Sequence, residues 1–174
     1  MKFDKDIFIK QGISDCQIHQ LIEYSNTDPE VKKFTSDSVR FKDLLSFKKW
    51  LTQGRIIYTL SDINYNLLGI IWFGQKNPPI EISANFTFAI RIYGPARGKG
   101  LSQNFMKTAF ADLLQNQKHS QITGFWLSTS KDNFTAIHTY EKFGFQKTES
   151  INNEQIMILK NDSIKYETKK YSKI

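Results

Sequence analysis

Phe86, Phe88, Ile90 and Ile92 alternate with Asn85, Thr87, Ala89 and Arg91. That period of two belongs to a strand with two different faces, so residues 85–93 are predicted as one. Apolar runs at 56–60 and 67–73 predict two more strands, joined through the hairpin-length connection Asp62-Ile63-Asn64-Tyr65-Asn66. A short strand over 7–10 is broken at Gly12. Helical spacing then places Ile18, Leu21 and Ile22 on one face, with Ser14 as N-cap and the helix running to about Tyr24. Asn26-Thr27-Asp28-Pro29 ends it, because a residue before proline avoids helical dihedrals. A mixed loop leads to a second helix over about 42–52, stopped by Gly54. Leu101, Phe105, Ala109 and Leu113 predict a helix over about 98–115. A strand over 122–128, a helix over 133–143 and a strand pair over 145–149 and 155–160 complete the order β-α-α-β-β-β-α-β-α-β-β.

This order predicts a mixed α/β fold. One central, mostly antiparallel sheet carries helices on both faces, with one parallel strand pair where the helix near Gly98 crosses between strands. The chain, 1–174, reads as a single domain with its core over about 6–160 and a basic tail over 161–174. Its 174 residues suit one hydrophobic core, and fourteen Phe, seven Tyr and three Trp exclude disorder along the whole chain. No run approaches the roughly 18 apolar residues of a membrane span. Met1-Lys2-Phe3-Asp4-Lys5-Asp6 lacks a signal peptide's apolar stretch, and Cys16, the only cysteine, excludes an intrachain disulfide. A cytoplasmic protein without membrane attachment is expected.

The formal charge is +7, from 24 Lys and Arg against 17 Asp and Glu. Such an excess suits nucleic acid, an anionic membrane or a polyanionic small molecule. It is thinly spread, and the aromatics lie mostly in apolar-patterned strands, so a nucleic-acid partner is disfavoured. His19, His119 and His138 form no ligand set, and no metal is expected.

Chemistry concentrates in Tyr93-Gly94-Pro95-Ala96-Arg97-Gly98-Lys99-Gly100-Leu101-Ser102, where a strand hands over to a helix. Small residues let a ligand approach the backbone, the first helical N–H groups point at it, and Arg97 and Lys99 add charge. The turn therefore suits a phosphate or pyrophosphate. A dinucleotide fingerprint would need glycine at Gln103, and a P-loop would need glycine at Tyr93 and a hydroxyl residue at Gly100.

Arg97-Gly98-Lys99-Gly100-Leu101-Ser102 resembles the Q/R-x-x-G-x-G/A signature of the GCN5-related N-acetyltransferases (GNAT), with Ser102 where Gly or Ala is usual and Pro95 one residue closer to Arg97 than expected. Asn133-Phe134-Thr135-Ala136-Ile137-His138-Thr139-Tyr140-Glu141-Lys142-Phe143-Gly144-Phe145 is similar to the superfamily's second motif. Asp28-Pro29-Glu30-Val31 resembles the branch of ribosomal-protein N-terminal acetyltransferases, which also includes polyamine and amino-sugar enzymes.

The resemblance implies a GNAT-like fold and transfer of an acetyl group from acetyl-CoA to a primary amine within a ternary complex. It assigns the pyrophosphate to Arg97, Gly98, Lys99, Gly100, Leu101 and Ser102. The pantetheine arm would lie along the backbone of Ile90, Arg91 and Ile92, with Asn133 as a side-chain contact or simply an N-cap. Tyr140 would be the general acid near the sulfur, or a packed ring with a locally satisfied hydroxyl. Phe143 and Phe145 read as core. Glu81 is a candidate for a general base, beside proton removal through ordered water. The resemblance also allows a homodimer, although no stretch marks an interface. A catalytically silent acyl-CoA-binding module of the same fold is the alternative.

Overall fold

Strands β1 (Ile7–Gln11), β2 (Ile56–Asp62), β3 (Leu67–Gln75), β4 (Phe86–Ile92), β5 (Gly124–Ser130), β6 (Gln146–Ile151) and β7 (Glu154–Lys160) form one sheet in the order β1-β2-β3-β4-β5-β7-β6. The structure is a computed structural model that describes residues 6–115 and 121–160. The expected tail over 161–174 and His119 lie outside the described residues. Neighbouring strands are antiparallel except β4 and β5, which run parallel. The mixed fold with one parallel pair is therefore the one anticipated.

Helices α1 (Asp15–Thr27), α2 (Pro29–Phe34), α3 (Asp37–Arg40) and α4 (Leu44–Leu51) lie between β1 and β2, where only two were expected. Ser14 and Gln17 cap α1 reciprocally: the Ser14 hydroxyl accepts from the Gln17 N–H at 3.4 Å, and Gln17 Oε1 accepts from the Ser14 N–H at 3.2 Å. Pro29 does more than stop α1. It is the first residue of α2, where its missing N–H costs nothing, and Asp28 accepts from the N–H groups of Glu30 and Val31 as the new N-cap.

Helix α5 (Leu101–Gln115) links β4 to β5, and α6 (Phe134–Phe143) lies between β5 and β6. These two cover one face of the sheet. Phe110 stands at the centre of that core, with ring centroids 4.9 Å from Phe73, 5.0 Å from Phe88 and 4.7 Å from Phe125. Phe145 is buried in the same cluster and Phe143 packs against it. Helices α1 to α4 cover the other face, where Phe41 meets Trp50 and Trp72 edge-on at 4.8 and 5.8 Å. Two independent cores thus clamp β3 and β4 from both sides and fix the position of β4. No helix among the described residues is long and apolar enough to cross a membrane.

Candidate active site

The parallel pair separates almost as soon as it forms. β4 and β5 are in register only at Phe86 with Phe125 and Thr87 with Trp126. Beyond Thr87, β4 stays with β3 as far as Ile92, while β5 stays with β7 as far as Ser130. The two strands diverge around a cleft of about 880 Å³ that is open to both sheet faces. Phe88, Ile90, Leu127 and Tyr140 line it on the α5 and α6 side, and Trp72, Ala89 and Arg91 on the α1 to α4 side.

The free edge of β4 faces this cleft. At its ends the Asn85 carbonyl accepts from the Lys76 N–H, and Tyr93 donates its N–H to Leu68 O, so both of these groups point towards β3. Alternation along the strand turns the main-chain groups of Phe88, Ile90 and Ile92 the other way. Two of those carbonyls are already engaged. Ile90 O accepts from Arg91 Nη1 at 2.9 Å and Ile92 O from Arg97 Nε at 3.0 Å. At Ile90 and Ile92 the edge therefore presents N–H groups to a ligand while the carbonyls are occupied.

The cleft ends at the turn between β4 and α5. A 3-10 turn, Gly94–Ala96, precedes two residues with positive φ, Gly98 at 75° and Gly100 at 69°. Glycine adopts this conformation without strain, and it brings the turn to the start of α5 at Leu101. Gly98, Gly100, Leu101 and Ser102 line the cleft.

The two charges expected on a phosphate are placed differently from the expectation. Arg97 lines the cleft, but its Nη2 holds both oxygens of Asp28, at 2.8 and 2.7 Å, so its charge is matched within the protein. Lys99 is exposed and outside the cleft lining. Asp28 explains the difference, since its role depends on a partner far along the chain. Its carboxyl lies below the usual range: burial opposes this, and hydrogen bonds from Arg97, Val31 and Glu30 outweigh it.

Tyr140 is buried on α6, its ring edge-on to Phe88 and Phe145. Its hydroxyl makes no hydrogen bond among the described residues. Burial raises its pKa, and the nearby Arg91 only partly offsets this, so the phenol keeps its proton. Asn133 accepts from the Ala136 N–H at 3.2 Å as the N-cap of α6, and it also lines the cleft. Glu81 is exposed and outside the cleft. Among the described residues no cluster of three His, Cys, Asp or Glu is arranged for a metal ion.

One part of the site escaped the sequence reading. Asp37 is fully buried and receives Arg91 Nε at 2.6 Å, Arg91 Nη2 at 3.2 Å and the Arg40 guanidinium. Arg91 lies over Trp72 at 4.8 Å. The only local signal was a carboxylate among the polar residues Thr35, Ser36 and Ser38, with nothing to mark its burial.

The comparisons agree with this architecture. The sequence model of the acetyltransferase (GNAT) family matches residues 18–145, and the chain belongs to that family. No curated protein sequence gives a significant match. Spermidine N-acetyltransferase from Vibrio cholerae, in complex with CoA and spermine, superposes with a TM-score of 0.71 at 17% identity, covering 92% of this chain and 99% of that one. A dodecameric structure of spermidine N-acetyltransferase from the same organism gives 0.64 at 15% identity, with 90% and 95% covered. At such identities the likeness is one of fold. Nothing here supports the ribosomal-protein branch suggested by Asp28-Pro29-Glu30-Val31, whose residues have the structural duties of starting α2 and holding Arg97.

Proposed function

We propose that this GNAT acetyltransferase moves an acetyl group from acetyl-CoA to a primary amine, with both substrates held together in the cleft between β4 and β5. The observation that carries this is the departure of β4 from β5 after Thr87, which leaves a main-chain edge leading to the Gly98–Gly100 turn. The cleft fits an extended ligand with a polyphosphate end: N–H groups line its edge, and a glycine turn and helix start close it. Acetyl-CoA supplies the activated acetyl thioester.

The residues have separable tasks. Ile90 and Ile92 offer main-chain N–H groups, with Arg91 continuing the strand between them. The backbone of Gly98, Gly100, Leu101 and Ser102 takes the phosphates, and the Arg97 side chain braces the turn through Asp28. Lys99 adds long-range attraction from the surface. Asn133 fixes the start of α6 and so the position of Tyr140, which holds a proton for the departing sulfur. The acceptor enters from the α1 to α4 side. An amine acceptor is supported by the spermidine enzymes that share the fold, and the dodecamer among them makes self-association part of the proposal.

The test is incubation with acetyl-CoA and a panel of peptides, amino sugars and polyamines. Free thiol and acetylated product are measured together. Amine-dependent release of thiol, matched by product, is expected. Tight acetyl-CoA binding without release for any amine would favour the catalytically silent module.

A further inference from the structure

Positive charge dominates the acceptor side of the cleft, where Lys33, Arg40, Arg55 and Lys76 stand against Glu30 and Glu154. Asp37 is shared between Arg91 and Arg40, and Glu154 accepts from the Ser128 hydroxyl at 2.6 Å. Arg55 pairs with no carboxylate among the described residues. It donates to Gln53 Oε1 at 3.0 Å and lies over the Trp50 ring at 5.9 Å, while its Nε is enclosed without a partner.

This guanidinium lies against the sheet at Gly74. Gly74 on β3 has no positive φ that would call for glycine. A β-carbon there would collide with Arg55 Nη1, so the missing side chain makes room for the guanidinium against the strand. Burial, and then the neighbouring Arg40, lower the Arg55 pKa, although a guanidinium stays charged. Arg55 lines the cleft, and an oxyanion there would match the fork of a guanidinium that has no carboxylate partner among the described residues.

We infer that Arg55, with Arg40 beside it, binds an oxyanion, a carboxylate or a phosphate, carried by the amine acceptor. The substrate class is then an anionic or zwitterionic amine rather than a polyamine, and this rests on the proposed function above. It separates this chain from the spermidine enzymes that share its fold. A polyamine would bring further positive charge against Arg40, Arg55 and Lys76.

Two measurements test it. In the first, the protein saturated with CoA is titrated with inorganic phosphate and, separately, with acetate, reading the fluorescence of the nearby Trp50 and Trp72. A saturable change with one of them is expected, weakened roughly tenfold or more in Arg55→Gln and in Gly74→Ala, as for loss of a charged hydrogen bond. The anion that saturates tells phosphate from carboxylate. No saturable change, or the same affinity in both variants, overturns the inference.

In the second, kcat/KM is compared for glucosamine 6-phosphate against glucosamine, glycine against glycinamide, and spermidine. The anionic member of one pair should lead by about tenfold or more, with the ratio collapsing in Arg55→Gln. A preference for spermidine overturns the inference. Acetyl-CoA calorimetry separates the two claims. Blank calorimetry with a saturable anion titration on the protein alone defeats the proposed function and keeps the anion site. Acetyl-CoA binding with a blank anion titration does the reverse.

Discussion

Arg97 grips Asp28 with one nitrogen on both carboxylate oxygens, across 69 residues of sequence, and so ties the start of α2 to the turn that ends the cleft. Asp28 has a second role as N-cap of α2, and two substitutions separate the roles. Asp28→Asn keeps a good cap and loses the ion pair, and should cost about 1–2 kcal/mol, since Arg97 is partly exposed. Asp28→Ala loses both and should cost about 1 kcal/mol more. Urea unfolding reads both; equal stability of Asp28→Asn and the unsubstituted protein would contradict the role of the pair.

The same contact predicts a pH dependence. The Asp28 carboxyl is held below its ordinary value, so its contribution is present above the unfolded pKa of about 3.9 and is lost as pH falls through the folded value. The melting temperature should therefore drop more steeply with acid below about pH 4 in the unsubstituted protein than in Asp28→Asn. Parallel profiles would remove the linkage.

Much of this site was legible because its signals are local. Two positive-φ glycines and a helix start fall within the four residues 98–101, and the α6 motif carries its own cap and its stop at Gly144. The alternation over β4 shows both of its faces for the same reason. α2 and α3 were missed because six and four residues are too few to show a helical period. Asp37 and the Arg97–Asp28 pair were missed because their partners lie 54 and 69 residues away. Formal charge placed Arg97 on a phosphate, and only the fold shows which carboxylate takes it.

Tyr140→Phe removes the proton and keeps the ring contacts with Phe88 and Phe145. Turnover should fall by roughly 100-fold or more while acetyl-CoA affinity stays within about twofold. A kcat equal to that of the unsubstituted enzyme would leave Tyr140 as a packing residue.

At Gly98 and Gly100 the space around an added β-carbon is open, so any penalty comes from the backbone and not from a clash. Gly100→Val should cost about 1–2 kcal/mol in the turn and weaken acetyl-CoA binding, with Gly100→Asn weakening it less because asparagine tolerates a left-handed conformation. Calorimetry ranks the three; equal affinities would show that the turn is not what the phosphates rest on.

Phe110→Ala empties the point where Phe73, Phe88 and Phe125 meet, behind the strands that form the cleft. A loss of about 3–5 kcal/mol is expected in denaturant unfolding. A loss below about 1 kcal/mol would contradict a tightly packed core.

The central claim is that the gap between β4 and β5 binds acetyl-CoA, and calorimetric titration of the purified chain with acetyl-CoA tests it most directly. Saturable binding of about one molecule per chain, weakened in Gly100→Val, is the predicted result. No heat of binding at millimolar ligand, or binding indifferent to Gly100→Val, would contradict it.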